Sequence, residues 1–382
     1  MNINVKILAV AISCAVVLPS WADIQFNGFA SIVAGMTLDD DESYFGYDDQ
    51  IDFKNESIFA LQIRSDLSEG LSATAQIVAR GSESFDAEFA WAYLSYEIND
   101  YWKVDAGRIR IPFYMHSEYV DVGYAYHWIR PPQGVYSIPF NDYEGLGLVN
   151  TSTIGDFDSA LQLQYANTSD DDFLPSGDGS PPSAFSWEDV LAITWTLSYE
   201  EWNIRFGHFS GTIYYDSANI AGLAQLSLDT GLSQEVANSI LLQDDTGAFT
   251  TVGITWDNGD VFVMSEFAQI EFDPSAFGDQ DSFYISVGKR FDEITFHATW
   301  GYDENTPSFD NIAALVPSSH PLFGAITGLA NNGTEDSTNY SLGLKYDFHP
   351  SASFKIEYSN FNDDVNDLTD ASVISAAVDL VF

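Results

Sequence analysis

The feature that most constrains this chain is an alternation of apolar and polar side chains with period two, repeated in segments of about ten residues between turn residues. The last twelve residues carry it to the end of the sequence: Ile374, Ala376, Val378, Leu380 and Phe382 share one face, and Ser375, Ala377, Asp379 and Val381 the other. Tyr340 to Phe348 shows it most plainly, with every even position aromatic or Leu and every odd one small or charged. Ile294–Tyr302, Leu191–Tyr199, Phe354–Ser359 and Val252–Trp256 follow the same rule. One greasy face and one wet face is what a strand spanning a membrane in a closed barrel requires, because closure satisfies every backbone group. The 28 Phe, 20 Tyr and 9 Trp, with no apolar run of about 18 residues after the first twenty, suit such strands and exclude a transmembrane helix there.

The N-terminus reads differently. Lys6, an apolar run from Ile7 to Leu18, and Pro19-Ser20-Trp21-Ala22 with small residues at the inspected positions predict a secretory signal peptide over 1–22, cut after Ala22. A lipoprotein site at Ser13-Cys14 is the lesser reading, since it would leave a very short apolar core. Cleavage after Ala22 removes Cys14, the one cysteine, and with it disulfides, cysteine metal sites and cysteine nucleophiles. The remainder, 23–382, carries 12 basic and 57 acidic residues, 12 − 57 = −45, which excludes nucleic acid as a partner.

Connections come in two alternating kinds. Tight turns fall at 67–70, 99–100, 155–156, 200–201, 257–260, 291–293 and 349–351. Longer polar loops fall at 38–50, 81–87, 111–142, 168–187, 212–247, 273–281, 304–338 and 362–371. Seven turns and eight loops give an all-β, transmembrane antiparallel barrel of about sixteen strands, in which the last strand must pair with the first, 24–37, to close the sheet. Alternation is weak in 89–98 and 102–110. Aromatics flank many turns, as in the aromatic girdles of membrane barrels.

The terminal strand ending on Phe382 resembles the C-terminal strand of bacterial outer-membrane barrels, which the barrel assembly machinery reads. The stretch Gly107-Arg108-Ile109-Arg110-Ile111-Pro112-Phe113-Tyr114, then Ser117–Tyr126, then Trp128-Ile129-Arg130-Pro131-Pro132 with Val135-Tyr136, resembles the third loop of Gram-negative porins, those of marine gammaproteobacteria in particular. The resemblance implies short periplasmic turns, long extracellular loops, a constriction loop at about 111–142 folded into the lumen, a homotrimer in the outer membrane, and passive diffusion of small hydrophilic solutes.

Seven of the twelve remaining basic residues, Lys54, Arg64, Arg80, Lys103, Arg108, Arg110 and Arg130, fall between 54 and 130. With Leu61, Ile63, Leu71, Ala73, Ala75 and Ile77 facing lipid, parity turns Arg64 and Arg80 inward, as the cost of an Arg at mid-membrane, about 2–4 kcal/mol, demands. These arginines, with Arg108, Arg110 and Arg130, form the candidate basic wall, facing Glu118, Asp121 and Asp142 across a narrow aqueous passage. Arg108 and Arg110 share parity with Val104 and Ala106, so either a bulge intervenes or they stand above the membrane. The plainer reading of all these arginines is pairing with carboxylates to hold a loop.

Acid clusters at Asp39–Glu42 with Asp48-Asp49, Asp170–Asp172 with Asp178, Asp244-Asp245 and Asp363-Asp364 offer hard oxygen ligands for loosely bound Ca2+ or Mg2+ bridging to lipopolysaccharide; solvated charge is the favoured reading. Leu, Ile and Ala spacing predicts a short packed helix within 218–242. The histidines lack paired metal spacing, and Gly207-His208-Phe209-Ser210-Gly211 matches a lipase elbow only superficially, so no enzyme and no cofactor is expected. Other readings are a substrate-selective anion channel for dicarboxylates or phosphate, using the arginines, an adhesin or phage receptor, using the loops, and a barrel hydrolase using Ser210.

Overall fold

The structure, a computed structural model, describes residues 24–382 except 41, 139, 174–182, 273–277, 307–313, 332–333 and 366–369. The predicted signal peptide and Asp178 lie outside the described residues. Sixteen strands follow one another: β1 (Ile24–Thr37), β2 (Ile58–Ser68), β3 (Leu71–Arg80), β4 (Ala87–Asn99), β5 (Trp102–Arg110), β6 (Asp142–Ile154), β7 (Phe157–Phe173), β8 (Ser183–Tyr199), β9 (Trp202–Asp216), β10 (Leu242–Asp257), β11 (Val261–Phe272), β12 (Asp279–Phe291), β13 (Ile294–Thr306), β14 (Glu335–His349), β15 (Ala352–Asp363) and β16 (Ala371–Val381). Each pairs with its neighbours in sequence, and β1 pairs antiparallel with β16 from Phe29↔Val381 to Thr37↔Val373, so the barrel is closed and has no free edge.

The alternation decides which face meets what. On β14 the outward Tyr340, Leu342, Tyr346 and Phe348 are all exposed, while Lys345 between them is nearly buried on the inside. On β16 the inward set is Val373, Ser375, Ala377 and Asp379, all buried, and Ile374 stands outside. Phe382 also stands outside, stacked on Phe59 of β2 with centroids 6.0 Å apart. Its backbone exchanges hydrogen bonds of 2.7 and 2.9 Å with Gly28, which seals the join between the first and last strands.

Two expectations about boundaries change. The first loop runs to Ser57 rather than residue 50, because 51–57 fold back beside β1, where Asp52 and Gly35 exchange backbone hydrogen bonds. The fourth, fifth and seventh loops are shorter than expected because β7 to β10, β13 and β14 continue beyond the span a bilayer needs, about 9–11 residues. Above the membrane a strand needs no apolar face, so polar stretches such as Thr168-Ser169-Asp170 are strand without alternation.

The weak pattern in β4 and β5 has a cause. A bulge in β4 moves the pairing from Gln76↔Trp91 to Ile77↔Phe89 and shifts parity by one. In β5, Gly107 takes φ +133, a region L side chains rarely adopt. The fifth loop folds into two helices, α1 (Ala218–Asp229) and α2 (Gln234–Ile240). Helix α3 (Phe323–Ala330) of the seventh loop joins them, and Ala224, Val236, Ile240, Val316, Ile326 and Ala330 form one buried apolar cluster at the long-loop end. Packing, expected for the helix within 218–242, is its role here.

Candidate functional site

The segment 111–141 leaves β5 and returns to β6, and between them it lies along the inner faces of other strands. Phe113 begins this course, packing its ring against Phe209 of β9 and Phe249 of β10 at 4.8 and 4.9 Å. The carbonyls of Pro112 and Phe113 accept from Arg205 of β9 (2.9 Å) and Thr251 of β10 (2.8 Å). Glu266 of β11 accepts from the Met115 amide (2.8 Å) and the Tyr136 hydroxyl (3.0 Å). His127 meets Ser286 of β12 at 2.9 Å, and the Trp128 indole donates to Thr299 of β13 at 2.8 Å. Lys345 of β14 donates to the Tyr124 carbonyl at 2.9 Å, and Glu357 of β15 accepts from the Ile129 amide at 3.2 Å.

The strongest anchor is Lys355 of β15. Its side chain is 1% exposed and donates to the carbonyls of Gly123 (2.6 Å) and Trp128 (2.5 Å), and it pairs with Asp379 of β16 at 3.0 Å. Asp379 in turn accepts from Ser31 of β1 at 2.6 Å. A Cβ on Gly123 would sit 2.4 Å from the Asp379 carboxylate and 2.7 Å from Ser31 Oγ, so only glycine lets the backbone approach this wall. A buried ion pair is stabilising in place only when its remaining hydrogen bonds are also made, and here they are.

The candidate residues named from the sequence fall into distinct settings. Arg80 of β3 and Arg110 at the end of β5 converge on Asp121, at 3.1 and 2.8 Å, and Arg110 also donates to the Ser117 carbonyl and lies over the Trp91 ring. Burial alone would raise the Asp121 carboxyl, but the guanidiniums of Arg110 and Arg80 outweigh it and hold it below the usual carboxylate range. Arg130 makes a bidentate pair with Glu56 of the first loop, donates to Ser375 of β16 at 3.0 Å, and lies over the rings of Phe45 and Tyr47. Glu56 is likewise held low: burial opposes, and Arg130 prevails. Glu118 accepts from Gln162 of β7 at 3.3 Å and lies 3.8 Å from Arg205. Arg64 of β2 faces inward, half exposed, 3.5 Å from Asp66.

Arg108 stands apart from this group. It pairs in register with Ala92 and Glu144, on the face that also carries the exposed Leu94 and Leu146, and it bridges to Asp142 (2.7 Å) and Glu144 (3.8 Å). The structure therefore puts Arg108 on the outer face near the long-loop end, and Asp142 with it. A lumenal place for these two is thereby corrected: the pairing of β5 runs unbroken through Gly107, so Arg108 keeps the parity it shares with Val104 and Ala106, and Arg110, at the strand end, departs from it by turning inward with the segment.

The second half of the chain, outside the basic cluster of 54–130, adds further inward charges: Arg205, Glu266, Arg290, Lys345, Lys355, Glu357 and Asp379. Parity was the available signal, since Lys345 lies between Leu344 and Tyr346, and Lys355 between Phe354 and Ile356. Among the described residues no group of three or more His, Asp or Glu is placed to hold a metal ion. Ser210 lies within β9, paired in register with Ala248.

The family model described as Gram-negative porin matches residues 8–379. The sequence matches none of the curated proteins. Among solved structures, the trimer form of OmpT, an outer membrane protein of Vibrio cholerae, is 11% identical with a TM-score of 0.57, covering 95% of this chain and all of that one. The outer membrane channel DcaP of Acinetobacter baumannii is 11% identical with a TM-score of 0.59, covering 94% of this chain and 97% of that one. The anion-selective porin from Comamonas acidovorans is 10% identical with a TM-score of 0.58, covering 94% of this chain and all of that one. At such identities the structures share the fold.

Proposed function

The chain belongs to the Gram-negative porin family and is an outer-membrane channel rather than an enzyme, and from that premise we propose that it passes small hydrophilic solutes by passive diffusion, with 111–141 narrowing the lumen. The observation that carries the reading is the contact of that segment with the inner face of consecutive strands from β9 to β15. It leaves the opposite wall, with Arg64 and the half-buried Gln62, to line the passage.

Arg80, Arg110 and Asp121 form the charged side of the constriction in this reading, and Arg130 with Glu56 ties its roof to the first loop. Each of these arginines meets a carboxylate, which supports weak ion selectivity over a dedicated anion channel. A homotrimer is proposed from the trimer form of a structure that shares the fold. The outward Arg108 with Asp142 and Glu144 supports it, because paired charges on the outer face suit contact with a neighbouring subunit better than with lipid. The acid-rich rim, including the exposed Asp39 and Asp40, would bridge Ca2+ or Mg2+ to lipopolysaccharide.

Single-channel recording of the refolded chain in a planar bilayer tests this. Ohmic conductance with a zero-current potential near zero in a salt gradient is expected. Absence of conductance would point instead to the loops as the functional part, and a strong chloride preference would favour the anion channel.

A further inference from the structure

Below the lumenal segment, toward the short turns, the barrel holds a cavity of about 590 Å3, within the range of about 300–1,000 Å3 typical of small-molecule sites. Residues 115–127 roof it, and the inner faces of β7 to β14 wall it. It is separate from the Arg80, Arg110 and Asp121 cluster, which lies on the other side of the segment and borders a different cavity.

Its charges cancel. Arg290 pairs with Asp257 through two hydrogen bonds of 2.6 and 2.8 Å, Lys345 with Asp347 at 3.1 Å, and Arg205 faces Glu118 at 3.8 Å. Three bases against three acids leave the lining neutral, although the chain as a whole is at −44. The two histidines of the roof add no charge, since burial holds His116 down at about 4 and His127 well below its usual value. A neutral lining rich in paired donors and acceptors offers no net attraction to an ion and many hydrogen bonds to hydroxyl groups.

The roof adds two further features. Arg205 and His116 close the upper end of the cavity, the Arg205 guanidinium donating to the Pro112 carbonyl at 2.9 Å. Tyr119, half-buried and held to His116 Nδ1 at 2.8 Å, supplies a ring at the same place, and the apolar faces of a ring sugar pack well on such surfaces.

We infer that this cavity is a binding subsite for neutral, hydroxyl-rich solutes of about disaccharide size, held beneath the lumenal segment by paired charges and the Tyr119 ring. The inference rests on the channel reading and adds a substrate class to it.

The test is current interruption in planar bilayers holding the refolded full chain, with sucrose and, separately, citrate as probes. Sucrose is expected to produce discrete interruptions of the potassium current, more frequent when it is added on the short-turn side than on the long-loop side, and citrate none. In the D257N/R290Q variant, which keeps the lining neutral but removes one paired set, the interruptions should shorten by about tenfold. A conducting channel that sucrose never interrupts, or that citrate interrupts more strongly, overturns this inference alone. A chain that conducts no ions overturns the channel reading and this inference with it. The comparison of sucrose with citrate on the unaltered chain decides the matter even where the variant fails to fold.

Discussion

Along β9 to β16 side chains of strand after strand bond the lumenal segment, most of them at its backbone carbonyls and amides, whereas toward β3 and β7 it is tied by Asp121 to Arg80 and by Glu118 to Gln162. The two arcs use charge differently. On the first, Lys355 and Asp379 are sealed from water and fully partnered, so they fix the backbone of 123–128 in one place. On the second, Arg64 and Glu88 are half exposed, and their pairs with Asp66 and Arg80 are of the kind worth little to stability, about 0–1 kcal/mol. The contrast teaches that charge number does not reveal role: burial and completeness of hydrogen bonding separate an anchor from a group free to meet solute.

The sharpest way to break this comparison is at Lys355. Lys355→Met strands the buried Asp379 carboxylate and two carbonyls, and should cost about 3–5 kcal/mol, read as a lower unfolding midpoint in detergent. Combining it with Asp379→Leu should recover much of that loss. A single variant as stable as the parent would show that the β9–β16 arc is not the anchor.

Arg130→Ala comes next. It releases the bidentate pair with Glu56 and the bond to Ser375, for a loss of about 1.5–3 kcal/mol and a noisier open-channel current as the roof loosens. Unchanged noise would detach the first loop from control of the lumenal segment.

On the other arc, Asp121→Asn leaves Arg80 and Arg110 without their shared carboxylate. The ratio of anion to cation permeability should rise roughly twofold to fivefold, measured as a zero-current potential in a potassium chloride gradient. No shift would place the passage away from this cluster.

The smallest effect is that of pH. The carboxyls of Asp121 and Glu56 are held low, so their contribution is fully present above the unfolded carboxylate value, about 4, and is lost only as pH falls through the lower folded value. The unfolding midpoint should therefore change little between pH 7 and 5 on their account. A marked loss already at pH 5 would mean that these pairs do not hold the segment.

Much of this was legible in the sequence, and the reason is local. Parity alone orients Tyr340 to Phe348 and 373 to 382, and it turns Arg64 and Arg80 inward, because successive side chains on a strand point to opposite faces. The seven turns and eight loops gave the strand number. Where a bulge slips the register, as at Gln76/Ile77, parity stops propagating; through Gly107 it holds, and Arg108 stays on the outer face with Val104 and Ala106 rather than in the lumen where its charge suggested it. The packed helices of the fifth loop were foreshadowed by their Leu, Ile and Ala spacing, but their partner, Phe323–Ala330 of the seventh loop, was not.

By itself, then, the sequence determined the barrel, its closure between 24–37 and the last strand, and the face that the regularly alternating strands show to lipid, since these follow from a two-residue repeat. Only the tertiary structure decided which charges meet. Asp121 joins Arg80 from 41 positions away, Lys355 reaches the Gly123 carbonyl across 232, and Ser31 reaches Asp379 across 348. Such pairings depend on how a long loop lies inside a closed wall, and no period in the sequence encodes that.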